Sequence, residues 1–381
     1  MSELYSTREI EIFTDILSSV VGQSPFHFPE DYGRYERAII VLAKCQEMSH
    51  LVYNAYMKAG RCIPQVLEQA FLLQVGRDKR NQFMFEKTKS VFQKEGIRYV
   101  PLKGTVTKEL YPEPWMRSGC DIDILVYETA LDKAIYALVN SGFSTNYEKA
   151  FHDVALLFGG AHLELHYNIC ENIPRVDRVL SEVWEHVVPL DKYEYRETPE
   201  FLALHTIIHL MYHFVKGGCQ IKAFIDLWLM RRKKAYDEQS LFELLKKCQL
   251  ERFYNKICEA IEVWFEEKDS SELSSQLASK VFNGGLAGNT TQSERVDIVL
   301  SGGTGKYIWQ SLFLPYSDMQ WIYPNVKRFP WLLPYYYSRR FFTKIFGVDR
   351  QKTRRQIYEA IHIKDEQNME LIELMSKLGL D

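Results

Sequence analysis

None of the seven cysteines stands in a Cys-x-x-Cys pair, and their odd number and wide scatter (45, 62, 120, 170, 219, 248 and 258) argue against a disulfide framework or a zinc ribbon. Reduced thiols are expected, and with them a cytoplasmic address. The chain also lacks any run of about 18 apolar residues, the length a membrane-spanning helix needs. Its first residues, Met-Ser-Glu-Leu-Tyr-Ser-Thr-Arg-Glu, hold no basic region followed by an apolar core. Neither a membrane span nor a signal peptide is expected. Excess charge is missing too: 47 basic against 50 acidic residues give a formal net charge of -3, which speaks against bulk electrostatic binding of nucleic acid. What remains is an ordinary globular composition, 46% hydrophobic and 25% charged over 381 residues, long enough for more than one packed unit.

Hydrophobic spacing divides the chain. Apolar residues recur at three and four positions through Ala38-Ile-Ile-Val-Leu-Ala43 and Val66-Leu-Glu-Gln-Ala-Phe-Leu-Leu73, which predicts helices from Thr7 to Gln93. After Glu95-Gly96 the pattern becomes short and strand-like: Ile97–Leu102, Asp121–Val126, Val154–Phe158 and His162–Ile169, with helices between the first pairs at Thr105–Tyr111 and Ala130–Ser141. Thr198-Pro-Glu carries a capping threonine and a proline at the first helical position, opening a long helix that Gly217-Gly218 stops. More helices follow to about Lys280, then a polar Gly-rich stretch, then an aromatic tail broken by Pro315, Pro324, Pro330 and Pro334 and closed by a charged helix from Arg350 onward. The expected organisation is a helical region over 1–95, an α/β core over 96–195, a helical domain over 196–280 and an aromatic-rich region over 281–381. The fold class is α+β, a mixed sheet flanked by helices, with helical regions at both ends.

In the run Asp121-Ile-Asp-Ile-Leu-Val126, alternation places Asp121 and Asp123 on one face of a strand and Ile122 and Ile124 on the other. Two carboxylates about 7 Å apart at Cα can reach one cation, and leaving them unneutralised beside a buried sheet is costly. Mg2+ suits such a pair because it takes few carboxylates and fills its other positions with water and phosphate oxygens. Glu164, on the opposite face from Leu163, Leu165, Tyr167 and Ile169, offers a third acid. An isolated Asp-x-Asp fits a solvated face equally well. Upstream, Pro101-Leu-Lys-Gly-Thr105 ends a strand and starts a helix, so Gly104, Thr105 and backbone amides are placed to hold an anionic phosphate, with Lys103 as a point charge.

The order of these parts resembles the polymerase-β-type nucleotidyltransferase superfamily. More closely, Leu102-Lys-Gly, Leu110-Tyr-Pro112, Arg117 and Asp121–Val126 look like the bacterial family of uncharacterised nucleotidyltransferases. The likeness continues through Glu164-Leu-His166, a His-rich helix and Asp226, and covers roughly residues 35 to 345. One departure stands out: Lys103-Gly104-Thr105 replaces the superfamily's usual Gly-Ser or Gly-Gly, so a serine-like phosphate contact falls to Thr105. The resemblance implies that Asp121, Asp123 and Glu164 bind two Mg2+ ions, with Mn2+ an alternative, and that Lys103, Gly104, Thr105 and Arg117 bind the nucleotide. It implies transfer of a nucleoside monophosphate from a nucleoside triphosphate to an acceptor hydroxyl. A small-molecule acceptor is favoured, a protein is the next choice, and nucleic acid ranks below both. The competing expectation is a nucleotide-binding or interaction protein that keeps the fold without turnover.

His205, His209 and His213 lie four apart on one helical face, where packing beside the nucleotide or acceptor is preferred to a zinc site, and Asp226 is either their partner or a hydrogen-bonded structural acid. His209, His213 and Asp226 are therefore expected at the cleft. Ser301-Gly-Gly-Thr-Gly-Lys306 has the wrong glycine spacing for a P-loop, and Tyr307 stands where Ser or Thr should hold magnesium. Tyr335-Tyr-Tyr-Ser-Arg-Arg-Phe-Phe342 reads as folded-domain packing with an exposed Arg pair.

Overall fold

The change from helical spacing to alternation at Gly96 is a physical boundary in the computed structural model, which describes residues 4–119, 121–145, 153–171, 173–216, 219–266, 268–283, parts of 313–346, and 373–380. Four helices precede it: α1 (Thr7–Gly22), α2 (Tyr32–Cys45), α3 (Ser49–Lys58) and the long α4 (Gln65–Glu95). Ser6 and Glu9 form a capping box at the start of α1. Gly96 ends α4 with φ 68°, a left-handed conformation that glycine adopts without strain.

Strands β1 (Tyr99–Pro101), β2 (Asp121–Val126), β3 (Asp153–Phe158) and β4 (Ala161–His166) form a mixed sheet in the order β1-β2-β4-β3. β2 runs parallel to β4, while β1 and β3 are antiparallel to their neighbours. Between β1 and β2 lie the short α5 (Gly104–Thr107) and a 3₁₀ turn at Lys108–Leu110; α6 (Leu131–Asn140) follows β2. The helix expected over Thr105–Tyr111 thus stops early, because Pro112 disfavours helical backbone at Tyr111, which is extended with ψ 153°. One sheet face is apolar. Ile122, Ile124, Leu163 and Leu165 are buried with Met84 and Phe92 of α4 and Leu131, Ala134 and Leu138 of α6. Each such large side chain contributes roughly 1.5–3 kcal/mol by leaving water, so the sheet's other face is free to be polar.

After α7 (Pro174–Leu180), a small hairpin of β5 (Val187–Pro189) and β6 (Tyr195–Glu197) leads into α8 (Pro199–Lys216), where Thr198 Oγ1 accepts from the Phe201 amide. Then come α9 (Ile221–Arg232), α10 (Glu238–Cys248), α11 (Glu251–Phe265) and α12 (Glu272–Asn283). The chain forms two compact units, one over 1–214 and 219–286 and the other over 215–218 and 287–381. In the second unit α13 (Asn325–Arg328) and α14 (Leu333–Phe346) are described; Tyr336 stacks on Tyr323 at 4.4 Å between ring centroids, while Tyr335 and Phe342 are exposed. The segment 301–306, the Gly-rich stretch and most of the expected terminal helix lie outside the described residues. Among the described residues no helix is long and apolar enough to cross a membrane.

Candidate active site

Parallel pairing of β2 with β4 sets Asp123 directly opposite Glu164 and Asp121 opposite His162. Side chains on one rung of a parallel pair share a face, so two acids from distant parts of the chain meet. His166, two residues beyond Glu164, lies on that face as well. Its Nε2 is 3.2 Å from Asp123 Oδ1 and 3.6 Å from Glu164 Oε2. The donor atoms of Asp123, Glu164 and His166 all lie within 4.8 Å of one another; among the described residues this is the one group of three or more His, Cys, Asp or Glu side chains so placed. Two ligands bound to one ion through bonds of about 2.1 Å lie about 3.0–3.4 Å apart, so a divalent cation fits this donor set. Asp121 is exposed at the start of β2 and lies outside the group.

The electrostatics are those of crowded acids short of cations. Partial desolvation beside the sheet raises the pKa of the otherwise exposed Asp121 carboxyl, and the charges of Glu164 and Asp123 raise it further. Burial also acts to raise Asp123, but the hydrogen bond and charge of His166, helped by Lys103, outweigh it and hold this carboxyl well below its ordinary value. For His166 burial favours the neutral ring, yet its bonds to Asp123 and Glu164 prevail and raise its pKa. The His166 ring is thus drawn toward its protonated form beside Asp123, and a cation bound through Nε2 would take that proton's place.

Lys103 has φ 30°, a left-handed value that a residue with a Cβ adopts only under strain, of the order of 1–3 kcal/mol. Its Nζ lies 3.1 Å from His209 Nδ1 and 3.8 Å from Glu171 Oε1, and Glu171 Oε1 is itself 3.1 Å from the same His209 nitrogen. His209 Nδ1 can accept from Lys103 or donate to Glu171, but not both at once. His213 Nε2 sits 3.0 Å from His209 Nε2, continuing the row along α8. Burial first, then the Lys103 charge, lowers the His209 pKa far below the usual range, so the ring is neutral. His205 is fully buried and bonds Glu197 at 2.8 Å, leaving its Nε2 without a partner. The three histidines thus separate into one core residue and two at the site.

Arg117 makes a bidentate pair with Asp226 of α9, with Nε–Oδ1 at 3.0 Å and Nη2–Oδ2 at 2.8 Å, and Tyr111 donates to Oδ1 at 2.8 Å. Among the described residues, Asp226 bonds Arg117 and Tyr111 rather than a histidine. Burial opposes the guanidinium charge, but Asp226 more than restores it. The free edge of Arg117 faces Gly104: a Cβ built there would collide with Nη1. Glycine is needed at 104 for this close approach. A cleft beside the site is lined by Gly104, Thr105, Lys108, Arg117, Gly119 and Asp121, together with Gln74, Asp78 and Asn81 of α4. Thr105 is buried in its wall, and its hydroxyl has no partner.

Side chains of the N-terminal helices hold the backbone just before β2. His50 Nε2 is 2.8 Å from Met116 O, and Gln74 Nε2 donates to Trp115 O and Arg117 O, each at 3.1 Å. Three consecutive carbonyls are fixed in this way. No spacing in the sequence marks these clamps or Glu171 as parts of the site. Only His166 carried a readable signal, its same-face spacing from Glu164.

A family model described as "Uncharacterised nucleotidyltransferase" matches residues 35–266. No curated protein and no solved structure matches the chain.

Proposed function

The chain belongs to the uncharacterised nucleotidyltransferase family, and from that premise we propose that it transfers a nucleoside monophosphate from a nucleoside triphosphate to an acceptor hydroxyl, releasing pyrophosphate. The observation that carries the reading is the shared rung of Asp123 and Glu164, with Asp121 two residues upstream on the same face. Asp121, Asp123 and Glu164 would hold Mg2+, two ions in the full site. A bound divalent ion lowers the pKa of the acceptor hydroxyl and neutralises charge on the triphosphate and the leaving pyrophosphate.

The protein's own groups supply the rest. Arg117, locked by Asp226 and Tyr111, presents the remainder of its guanidinium toward Gly104 and the cleft, where it would bind phosphate oxygens in fixed geometry. Thr105 offers a buried, unpartnered hydroxyl for a phosphate oxygen. Lys103 bonds His209 and lowers the Asp123 pKa, so it is near both the acids and the α8 histidines. A triphosphate would draw its Nζ away from His209. Neutral His209, with His213 behind it, would accept the proton that an acceptor hydroxyl delivers. The formal charge of -3 favours a small-molecule acceptor over nucleic acid, with a protein side chain as the next choice.

Calorimetry with each nucleoside triphosphate, with and without Mg2+, tests the reading, followed by pyrophosphate release over pools of acceptors. Magnesium-dependent binding that disappears in the Asp121→Ala, Asp123→Ala double variant is expected. Binding that is absent, or unchanged in that variant, overturns the enzyme reading. Triphosphate binding without pyrophosphate from any pool would make the chain a nucleotide-binding protein instead.

A further inference from the structure

We propose that His166 is a metal ligand, and that Asp123, Glu164 and His166 form a site for an imidazole-accepting divalent ion, with Mn2+ preferred over Mg2+. The inference rests on the nucleotidyltransferase reading and specifies the chemistry of its metal site. Its basis is the position of one nitrogen. His166 Nε2 lies 3.2 Å from an Asp123 oxygen and 3.6 Å from a Glu164 oxygen, close to the about 3.0–3.4 Å expected between ligands that share one ion. Both neighbours come from a sheet whose back face, Ile122, Ile124, Leu163 and Leu165, is packed into the core, so the three donors are carried on a rigid surface. His166 is the most buried of the three: its side chain is 11% exposed, against 26% for Asp123 and 40% for Glu164. The nitrogen therefore forms the floor of the site, while the carboxylates open toward the cleft.

A set of two carboxylates and one imidazole has a different preference from a set of acids alone. Mg2+ takes oxygen ligands almost exclusively and gives up its waters reluctantly, whereas first-row transition ions bind imidazole readily. Asp121 is exposed and outside the nitrogen-containing group, so any ion it shares with Asp123 meets oxygen alone. Two positions of unlike chemistry would then sit side by side. The competing role for His166 is a hydrogen-bond strut that merely orients Asp123. Gln at this position keeps an N–H donor for the strut and removes the imidazole.

The test uses the full chain without nucleotide, titrated with Mn2+ and separately with Mg2+, and pulsed electron paramagnetic resonance of the bound Mn2+ to detect coupling to a directly bonded nitrogen. The wild-type protein should show that coupling, and His166→Gln should lose it along with about tenfold or more in Mn2+ affinity while Mg2+ affinity changes less than about twofold. Bound Mn2+ without nitrogen coupling in the wild-type protein overturns the proposal, whether or not the variant folds. An unchanged Mn2+ to Mg2+ preference in folded His166→Gln overturns it too. These failures leave the enzymatic reading standing if Mg2+-dependent triphosphate binding and pyrophosphate release persist. Absence of any divalent-ion binding, with or without ATP, removes both.

Discussion

Two cation–carboxylate clusters flank the site, and they are built to opposite ends. Arg117 and Asp226 are closed: the carboxylate takes two guanidinium nitrogens and a tyrosine hydroxyl, and the pair is almost wholly buried. Lys103, Glu171 and His209 are open in their pairing: the Lys–Glu separation is 3.8 Å, and one histidine nitrogen faces both a donor and an acceptor. A closed cluster fixes geometry, whereas an open one can exchange partners when a phosphate or hydroxyl arrives. The two clusters thus differ in how completely their hydrogen bonds are met.

The largest effect that would break this contrast is expected at Asp226. Asp226→Ala leaves a buried guanidinium uncompensated and should destabilise the fold by about 3–5 kcal/mol in denaturant unfolding; a loss under about 1 kcal/mol would place Asp226 among the open groups. Next is His50, which belongs with the closed set. Burial, opposed only by its bond to Met116 O, lowers its pKa from 6.5 to about 4, so the folded state holds it neutral. The unfolded chain then binds the extra proton first. The stabilisation is present above pH 6.5 and lost as pH falls toward 4, about 3 kcal/mol in all. Comparing the pH dependence of unfolding with that of His50→Gln should isolate this slope.

Lys103→Ala comes third: pyrophosphate release should fall about 100-fold, about 2.7 kcal/mol in barrier, while unfolding free energy moves by less than about 1 kcal/mol, because the Lys103–Glu171 pair is long and alanine, which keeps a Cβ, leaves the backbone strain as it was. Gly104→Ala should destabilise by about 1–3 kcal/mol by crowding Arg117, with a raised KM for the triphosphate as its kinetic signature. The smallest change is expected for Glu171→Gln, under about 1 kcal/mol in stability. A larger loss there would show that the second cluster is also framework.

Local rules made much of this architecture legible. The strand Asp121–Val126 has the bounds its alternation predicts, and Thr198-Pro199 begins α8 as a capping threonine and first-turn proline should. Alternation makes Glu164 a candidate third acid by giving the face it takes, but it does not say which strand lies beside it. The parallel β2–β4 pairing supplies that. Arg117 and Asp226 are 109 positions apart, and no periodicity links them. Glu171 sits in an irregular segment after β4, where no spacing argument applies. His166 is different in kind: its same-face relation to Glu164 was written in the alternation, but a histidine near acids has no single chemical meaning until its nitrogen is located.

The carbonyls of Trp115, Met116 and Arg117 are held by His50 and Gln74, side chains of α3 and α4. For anyone dissecting the protein, the seam at residues 95–96 that looks natural in the sequence is therefore the wrong place to cut. A fragment beginning at the first strand would keep every acid of the site yet release the loop that aims Arg117. The unit that folds the site is therefore the sheet together with its anchoring helices.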